Sequence, residues 1–199
     1  MTSARVVLFD VMGTLILDPF YERMPAALGM SFEELMAAKT PDAWLEFERG
    51  EIDEAAYFRK MFRDGRAFDE AALKHAIVEG WAWLPGVESI LGELTRAGVA
   101  CHGLSNYPVW MRELDAKVGL SDHLGQLFVS CDLGVRKPDA GAYVQTLDAL
   151  GIPAHEVLFV DDRSVNVIAA EGLGMHGHRF QDATTLRADL VARGLLASS

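Results

Sequence analysis

Arg5-Val-Val-Leu-Phe-Asp10, continued by Val11-Met12-Gly13-Thr14, is the stretch on which the reading of this chain turns. Val6, Val7, Leu8 and Phe9 follow one another without polar alternation. That pattern suits a strand covered on both faces, as in a parallel sheet flanked by helices. The run ends in an acid and then in a Gly-Thr turn. A carboxylate at the carboxyl tip of a buried strand lies where α/β sheets bind their ligands. Alone, such an Asp is read equally well as the cap of the following turn.

Four further apolar runs follow, at 98–105, 126–131, 156–162 and, more weakly, 175–180. Stretches of helical spacing alternate with them. In 87–97 the apolar positions are Val87, Ile90, Leu91 and Leu94, with Gly98 as the stop. In 138–150, Tyr143, Val144, Leu147 and Leu150 share a face before Gly151, and 165–171 and 184–192 behave likewise. This order predicts a doubly wound, Rossmann-like α/β core with right-handed crossovers.

One block breaks the rhythm. Residues 18–80 carry helix signals and no strand. Ser31-Phe-Glu-Glu34 is a capping box with Met30 and Leu35 as its staple. Thr40-Pro41 starts a second helix, with Pro41 in its first turn and Gly50 closing it. Asp53 caps a third, on which Phe58, Met61 and Phe62 share a face. The expected organisation is a core of residues 1–17 and 81–199 and an inserted helical cap of residues 18–80, placed to cover the carboxyl end of the first strand.

Composition excludes several classes. Of 199 residues, half are hydrophobic, enough to bury a sizeable core. A net charge of −11 argues against a nucleic-acid surface. No run of about 18 apolar residues is present to span a membrane. The apolar stretch after Arg5 is too short for a signal-peptide core. Cys101 and Cys131 form no metal-binding spacing. They read as reduced core residues of a cytoplasmic protein.

Three segments join Asp10 at the predicted strand tips. Leu104-Ser105-Asn106 ends the second strand, Arg136-Lys137-Pro138 opens the helix after the third, and Asp161-Asp162 ends the fourth. Together they supply a nucleophile, a hydroxyl donor, a cation and paired carboxylates. That is the inventory for metal-assisted phosphoryl transfer through a covalent intermediate.

On these four ordered motifs the chain resembles the haloacid dehalogenase superfamily, and the likeness spans almost its whole length. Asp132-Leu-Gly-Val-Arg-Lys-Pro138 and Asp161-Asp-Arg-Ser-Val-Asn166 are similar to the branch of sugar-phosphate phosphatases and the amino-terminal phosphatase of epoxide hydrolases. A closer likeness, to flavin mononucleotide (FMN) phosphatases, is carried by Phe9-Asp-Val-Met12 and the less generic segments Asp18-Pro-Phe-Tyr21, Trp44-Leu-Glu-Phe-Glu48, Asp64-Gly-Arg66, Phe68-Asp69 and Asn106-Tyr-Pro-Val-Trp110. The resemblance implies a phosphatase acting on a small phosphate monoester, with FMN favoured. In it Asp10 is the nucleophile and forms an aspartyl-phosphate. Asp10, the Met12 carbonyl and Asp162 hold Mg²⁺, with Asp161 assisting directly or through water. Ser105, Asn106 and Lys137 bind the phosphate, and Lys137 keeps Asp10 ionised. A monomer or homodimer is expected, with no nucleic-acid or membrane partner.

Position 12 departs from the family. Most of its phosphatases carry a second Asp two residues after the nucleophile, as general acid and base. Met12 has no proton to give, a loss worth roughly 10²–10⁴-fold with an alkyl leaving group. Asp18, Glu22 or water are the candidates to replace it. The uncharged residue would also suit a 2-haloacid dehalogenase, which Asp161-Asp162 opposes. A protein that binds a flavin or phosphate without turnover is the remaining alternative.

Other features read as structural. Gly172-Leu-Gly174-Met-His-Gly177 matches a dinucleotide-binding pattern but follows a helix and precedes a strand, the reverse of the required context. His102, His176 and His178 are taken as packed strand residues. Trp44, Tyr107 and Trp110 are candidates for the wall of a site for a flat substrate.

Overall fold

The computed structural model describes residues 4–197. The first strand, β1 (Val6–Phe9), is followed by five helices without an intervening strand: α1 (Arg23–Ala27), α2 (Phe32–Ala38), α3 (Ala43–Glu48), α4 (Glu54–Lys60) and α5 (Glu70–Gly80). Strand and helix then alternate. First come α6 (Val87–Arg96), β2 (Ala100–Ser105), α7 (Met111–Val118) and β3 (Leu127–Val129). The short α8 (Ser130–Leu133), α9 (Ala140–Leu150), β4 (Val157–Asp161), α10 (Ser164–Gly172), β5 (His176–Arg179) and α11 (Ala183–Ala192) complete the chain.

All five strands are parallel, in the order β3-β2-β1-β4-β5. The unalternating run at β1 is explained by its central place. Val7 and Phe9 face one core with Leu158 and Val160, while Leu8 faces a second core with Val157, Phe159 and Tyr143. Helices cover both faces, so both sets must be apolar. Register then positions the chemistry. Phe9 lies level with Gly103 and with Val160, so Asp10 emerges beside Leu104 and Asp161, and Ser105 one residue further on.

The cap helices obey local signals. Ser31 Oγ accepts from the Glu34 amide (3.2 Å) and Glu34 Oε2 from the Ser31 amide (2.7 Å). Such a cap contributes about 1 kcal/mol. Asp53 and Asp69 cap α4 and α5 by accepting from Ala56 N and Ala72 N. Phe58, Met61 and Phe62 are buried together, but α4 ends at Lys60, so Met61 and Phe62 lie beyond the helix on which a shared face was expected. The chain enters and leaves this helical block side by side, with Leu17 N donating to Ala82 O (2.9 Å) and Leu84 N to Leu15 O (2.8 Å).

Two further expectations need correction. The helix expected from Pro41 begins at Ala43, its Asp42 makes no cap bond, and Pro41 lies outside it. The third strand stops at Val129, because Ser130 turns into α8. The Ser130 hydroxyl accepts from Tyr107 N and donates to Glu48 O. The short α1 and α7 gave no clear sequence signal, since α7 buries only Met111 and Leu114. Among the described residues no helix is long and apolar enough to cross a membrane.

Candidate active site

The strand tips converge on Asp10. Its carboxylate is buried; Oδ1 accepts from Lys137 Nζ at 2.6 Å and Oδ2 from Thr14 Oγ1 at 3.0 Å. Burial pushes the Asp10 carboxyl up to about 7, against the pull of Lys137. Lys137 is 1% exposed and also donates to Asp161 Oδ2 at 2.8 Å. Burial opposes its charge, but the two carboxylates outweigh that and hold the ammonium above its ordinary value.

Asp161 is fully enclosed. Besides Lys137 it accepts from Asn166 Nδ2 (3.0 Å to each oxygen) and the Arg163 amide (2.8 Å). Asp162 is half-buried, and burial and then Asp161 raise its carboxyl. The turn after β1 fits closely against it. Gly13 has φ +85°, and a Cβ there would stand 3.0 Å from Asp162 Oδ2. Glycine alone meets both conditions. Gly13→Ala is expected to lower turnover by displacing Asp162 while leaving the circular dichroism spectrum native; unchanged kinetics would show that this turn does not position the site.

Carboxylate oxygens of Asp10, Asp161 and Asp162 lie within 4.8 Å of one another. Three acids against one buried lysine leave the cluster short of positive charge. Hard oxygen donors in that number suit a divalent cation of the Mg²⁺ type. Ser105 Oγ is buried, yet accepts from and donates to none of the described residues. A buried hydroxyl without a partner at such a point is satisfied by a ligand oxygen.

Two cavities meet above the strands. A well of about 140 Å³ is lined by Asp10, Lys137, Asn166 and Asp162. It adjoins a chamber of about 460 Å³ walled by Phe20, Tyr21, Trp44, Tyr107 and Trp110, with Lys39 at one side. Asp18, Glu48 and Arg136 line both. Glu48 Oε1 accepts from the Trp44 indole (2.6 Å) and Oε2 from Arg136 Nε (2.9 Å), joining the helical block to the loop that carries Lys137.

The amino-terminal 4–174 match the family model of haloacid dehalogenase-like hydrolases. The chain belongs to that family. It is 39% identical to flavin mononucleotide hydrolase 1 of Arabidopsis thaliana, over 97% of this chain and 79% of that protein. It is 30% identical to the sesquiterpene phosphatase astK of Aspergillus oryzae, over 92% of each. A HAD family enzyme of Bacteroides thetaiotaomicron, crystallised with magnesium and inorganic phosphate, has the same fold. Its TM-score is 0.74 at 20% identity, with 92% of this chain and 98% of that one covered.

Within this hydrolase the residues expected at the site divide. Asp10, Met12, Lys137, Asp161 and Asp162 come together at the well or its mouth, with Ser105 at the neighbouring strand tip. Asn106 lines both cavities, and its amide is partly committed. Nδ2 donates to Lys137 O and Oδ1 accepts from Lys137 N, both at 2.8 Å, so it fixes the Lys137 backbone while a second N–H remains for a ligand. Trp44, Tyr107 and Trp110 do line the chamber. Trp110 and Tyr107, at 1% and 4% exposure, back the wall without presenting open faces, because Phe47, Tyr57 and Trp44 pack on them. Open aromatic surface comes from Tyr21, at 60% exposure, beside Phe20. Thr14, Glu48, Asn166 and Arg163 were not assigned roles from sequence. Thr14 carries a signal in the Gly-Thr turn, Arg163 and Asn166 in the motif that begins at Asp161, and Glu48 in the Trp44–Glu48 segment, though none of these signals gives a role. Glu22 is exposed and lines neither cavity.

Proposed function

We propose that this hydrolase is a Mg²⁺-dependent phosphatase that releases phosphate from FMN, giving riboflavin. The observation that carries the phosphatase reading is the buried Asp10–Lys137–Asp161 arrangement beside Asp162, with the partnerless Ser105 hydroxyl at the next strand tip. The FMN assignment rests on likeness to the Arabidopsis protein and on an aromatic chamber of about 460 Å³ joined to the well. Residues 1–17 and 81–199 act as the catalytic core, and 18–80 as the cap that closes the chamber.

Asp10 attacks phosphorus, the P–O bond to the alcohol breaks, and an aspartyl-phosphate forms. Water then attacks that phosphorus, the new P–O bond breaks, and phosphate leaves with the Asp10 carboxylate restored. Lys137 favours the ionised form of Asp10 against the effect of burial and offsets phosphoryl charge. Asp161 and Asn106 hold Lys137 in place. Ser105 donates to a phosphoryl oxygen. Asp10, Asp162 and the Met12 carbonyl would hold Mg²⁺, with Asp161 at its back. The ion, when bound, supplies the charge that lets a dianion approach a carboxylate.

Phosphate release from FMN, sugar phosphates and nucleoside monophosphates with Mg²⁺ tests the reading. FMN is expected to be the best substrate, and EDTA to abolish release. Activity on 2-chloropropionate that survives EDTA would support the dehalogenase reading that Met12 invites. Mg²⁺ should also raise the melting temperature, because it binds the folded cluster and relieves repulsion among its three carboxylates. An identical melt in Mg²⁺ and EDTA would show that the free protein does not bind the ion appreciably and would count against a metal at this cluster.

A further inference from the structure

We propose that Asp18 is the proton donor to the leaving alcohol, in place of the acid that position 12 lacks. The inference rests on the phosphatase reading. In that reaction phosphorus lies in the well within reach of Asp10, and the remainder of the ester fills the chamber. The breaking P–O bond therefore sits where the two cavities join. A donor must line both.

Among the described residues that do, four have a side-chain proton in reach of chemistry: Asp18, Tyr21, Glu48 and Asp162. Asp162 belongs to the acidic cluster that would hold the cation. Glu48 has both oxygens occupied as acceptors, by Trp44 and Arg136. Tyr21 lies at the outer rim, largely exposed, with its ring against Phe20 and Phe32. Arginine cannot serve, since it keeps its proton. Asp18 remains. Its Oδ1 accepts from the Phe20 amide at 3.0 Å, and Oδ2 has no hydrogen-bond partner among the described residues.

Two further facts suit the role. Asp18 follows Leu17, whose amide is bonded to Ala82 O where the chain enters the helical block, so its backbone is anchored. Burial raises its carboxyl above the ordinary range, with the Phe20 bond pulling only partly against it. A shift in that direction favours the neutral carboxyl, the form that can donate.

The proton count closes. As Asp10 bonds to phosphorus and the P–O(alkyl) bond breaks, the leaving oxygen takes the Asp18 proton, giving neutral alcohol, aspartyl-phosphate and the Asp18 carboxylate. In the second half that carboxylate removes a proton from the attacking water. Phosphate leaves, the Asp10 carboxylate is regenerated and Asp18 is again protonated.

The test compares leaving groups in the first half alone, by single-turnover release of the alcohol with enzyme in excess and Mg²⁺ present. Riboflavin is an alkyl alcohol and needs a proton to depart. p-Nitrophenolate is stable as an anion and does not. Asp18→Asn keeps the Oδ1 acceptor for Phe20. It is expected to slow riboflavin release about 10²-fold or more, and p-nitrophenol release less than about 5-fold. Asp18→Ser, which retains a local acceptor, carries the same expectation should the amide fold poorly. Glu22→Gln should leave both rates unchanged. An equal loss on both substrates, or no loss on FMN, overturns the assignment while leaving the phosphatase reading intact. A wild-type protein that releases phosphate from neither ester overturns both.

Discussion

Asp10→Asn is expected to abolish turnover, by about 10⁴-fold or more, the scale on which loss of a covalent nucleophile acts. The amide is nearly isosteric, but it neither attacks phosphorus nor offers an anionic ligand. The same change should not weaken the fold. Asp10 is buried with its carboxyl pushed up to about 7, above the unfolded value of about 3.9. An acid raised on folding binds its proton more tightly in the native state. Its ionisation therefore costs stability once pH passes the unfolded value, and the cost is complete above the folded one. An amide carries no such cost. In EDTA, Asp10→Asn should melt at or above wild type, with a gap that widens between pH ~4 and ~7. In Mg²⁺ the order should narrow or reverse, because wild type gains more from the ion. Residual phosphate release near the wild-type rate, with contamination excluded, would remove the covalent mechanism. A variant that melts well below wild type in EDTA would show instead that the Lys137 pairing outweighs burial.

Lys137→Met should be the most destabilising change at the site. The lysine is the one buried cation among Asp10, Asp161 and Asp162, and it bridges the first two at 2.6 and 2.8 Å. Methionine fills similar volume, so the loss is of charge and hydrogen bonds, not of packing. Removing one partner of a buried ion pair costs about 3–5 kcal/mol, because the other charge stays buried and uncompensated. For a chain of this length that corresponds to a fall in Tm of roughly 6–20 °C. Turnover should vanish as well. Mg²⁺ should restore part of the lost stability, since a dication in the cluster takes over some of the neutralisation, but not the activity. An unchanged Tm in EDTA would mean that the acids shed their charge by protonation and that Lys137 does not hold Asp10 ionised.

The comparison of these two variants separates roles that look alike in a static picture. One removes negative charge from a site that has too much of it, and the other removes the positive charge that compensates it. Opposite shifts in metal-free stability, with loss of activity in both, are the signature expected of this arrangement.

Much of this was legible in the linear chain. The unalternating run at Val6–Phe9, the stops after helices and the capping signals at Ser31 and Asp53 are local. They report whether a segment is covered on one face or two and where a helix can begin. Register in a parallel sheet follows from such runs, and it brings Asp10, Ser105 and Asp161 to one edge. That is why the meeting of these strand-tip residues is legible in the sequence. Pairing across distance had no such signal. Arg136 and Glu48 lie 88 residues apart, Trp110 and Glu54 56, and nothing local to any of them names its partner. Only the tertiary structure decided that Asn106 fixes the Lys137 backbone and that Asp161 is saturated by donors while Asp162 faces the opening. It likewise left Asp18, rather than Glu22, where the two cavities join. The reason is physical. Periodicity encodes burial, a property each residue has by itself, whereas a hydrogen-bond partner or a share in a cavity wall exists only once distant segments have been brought together.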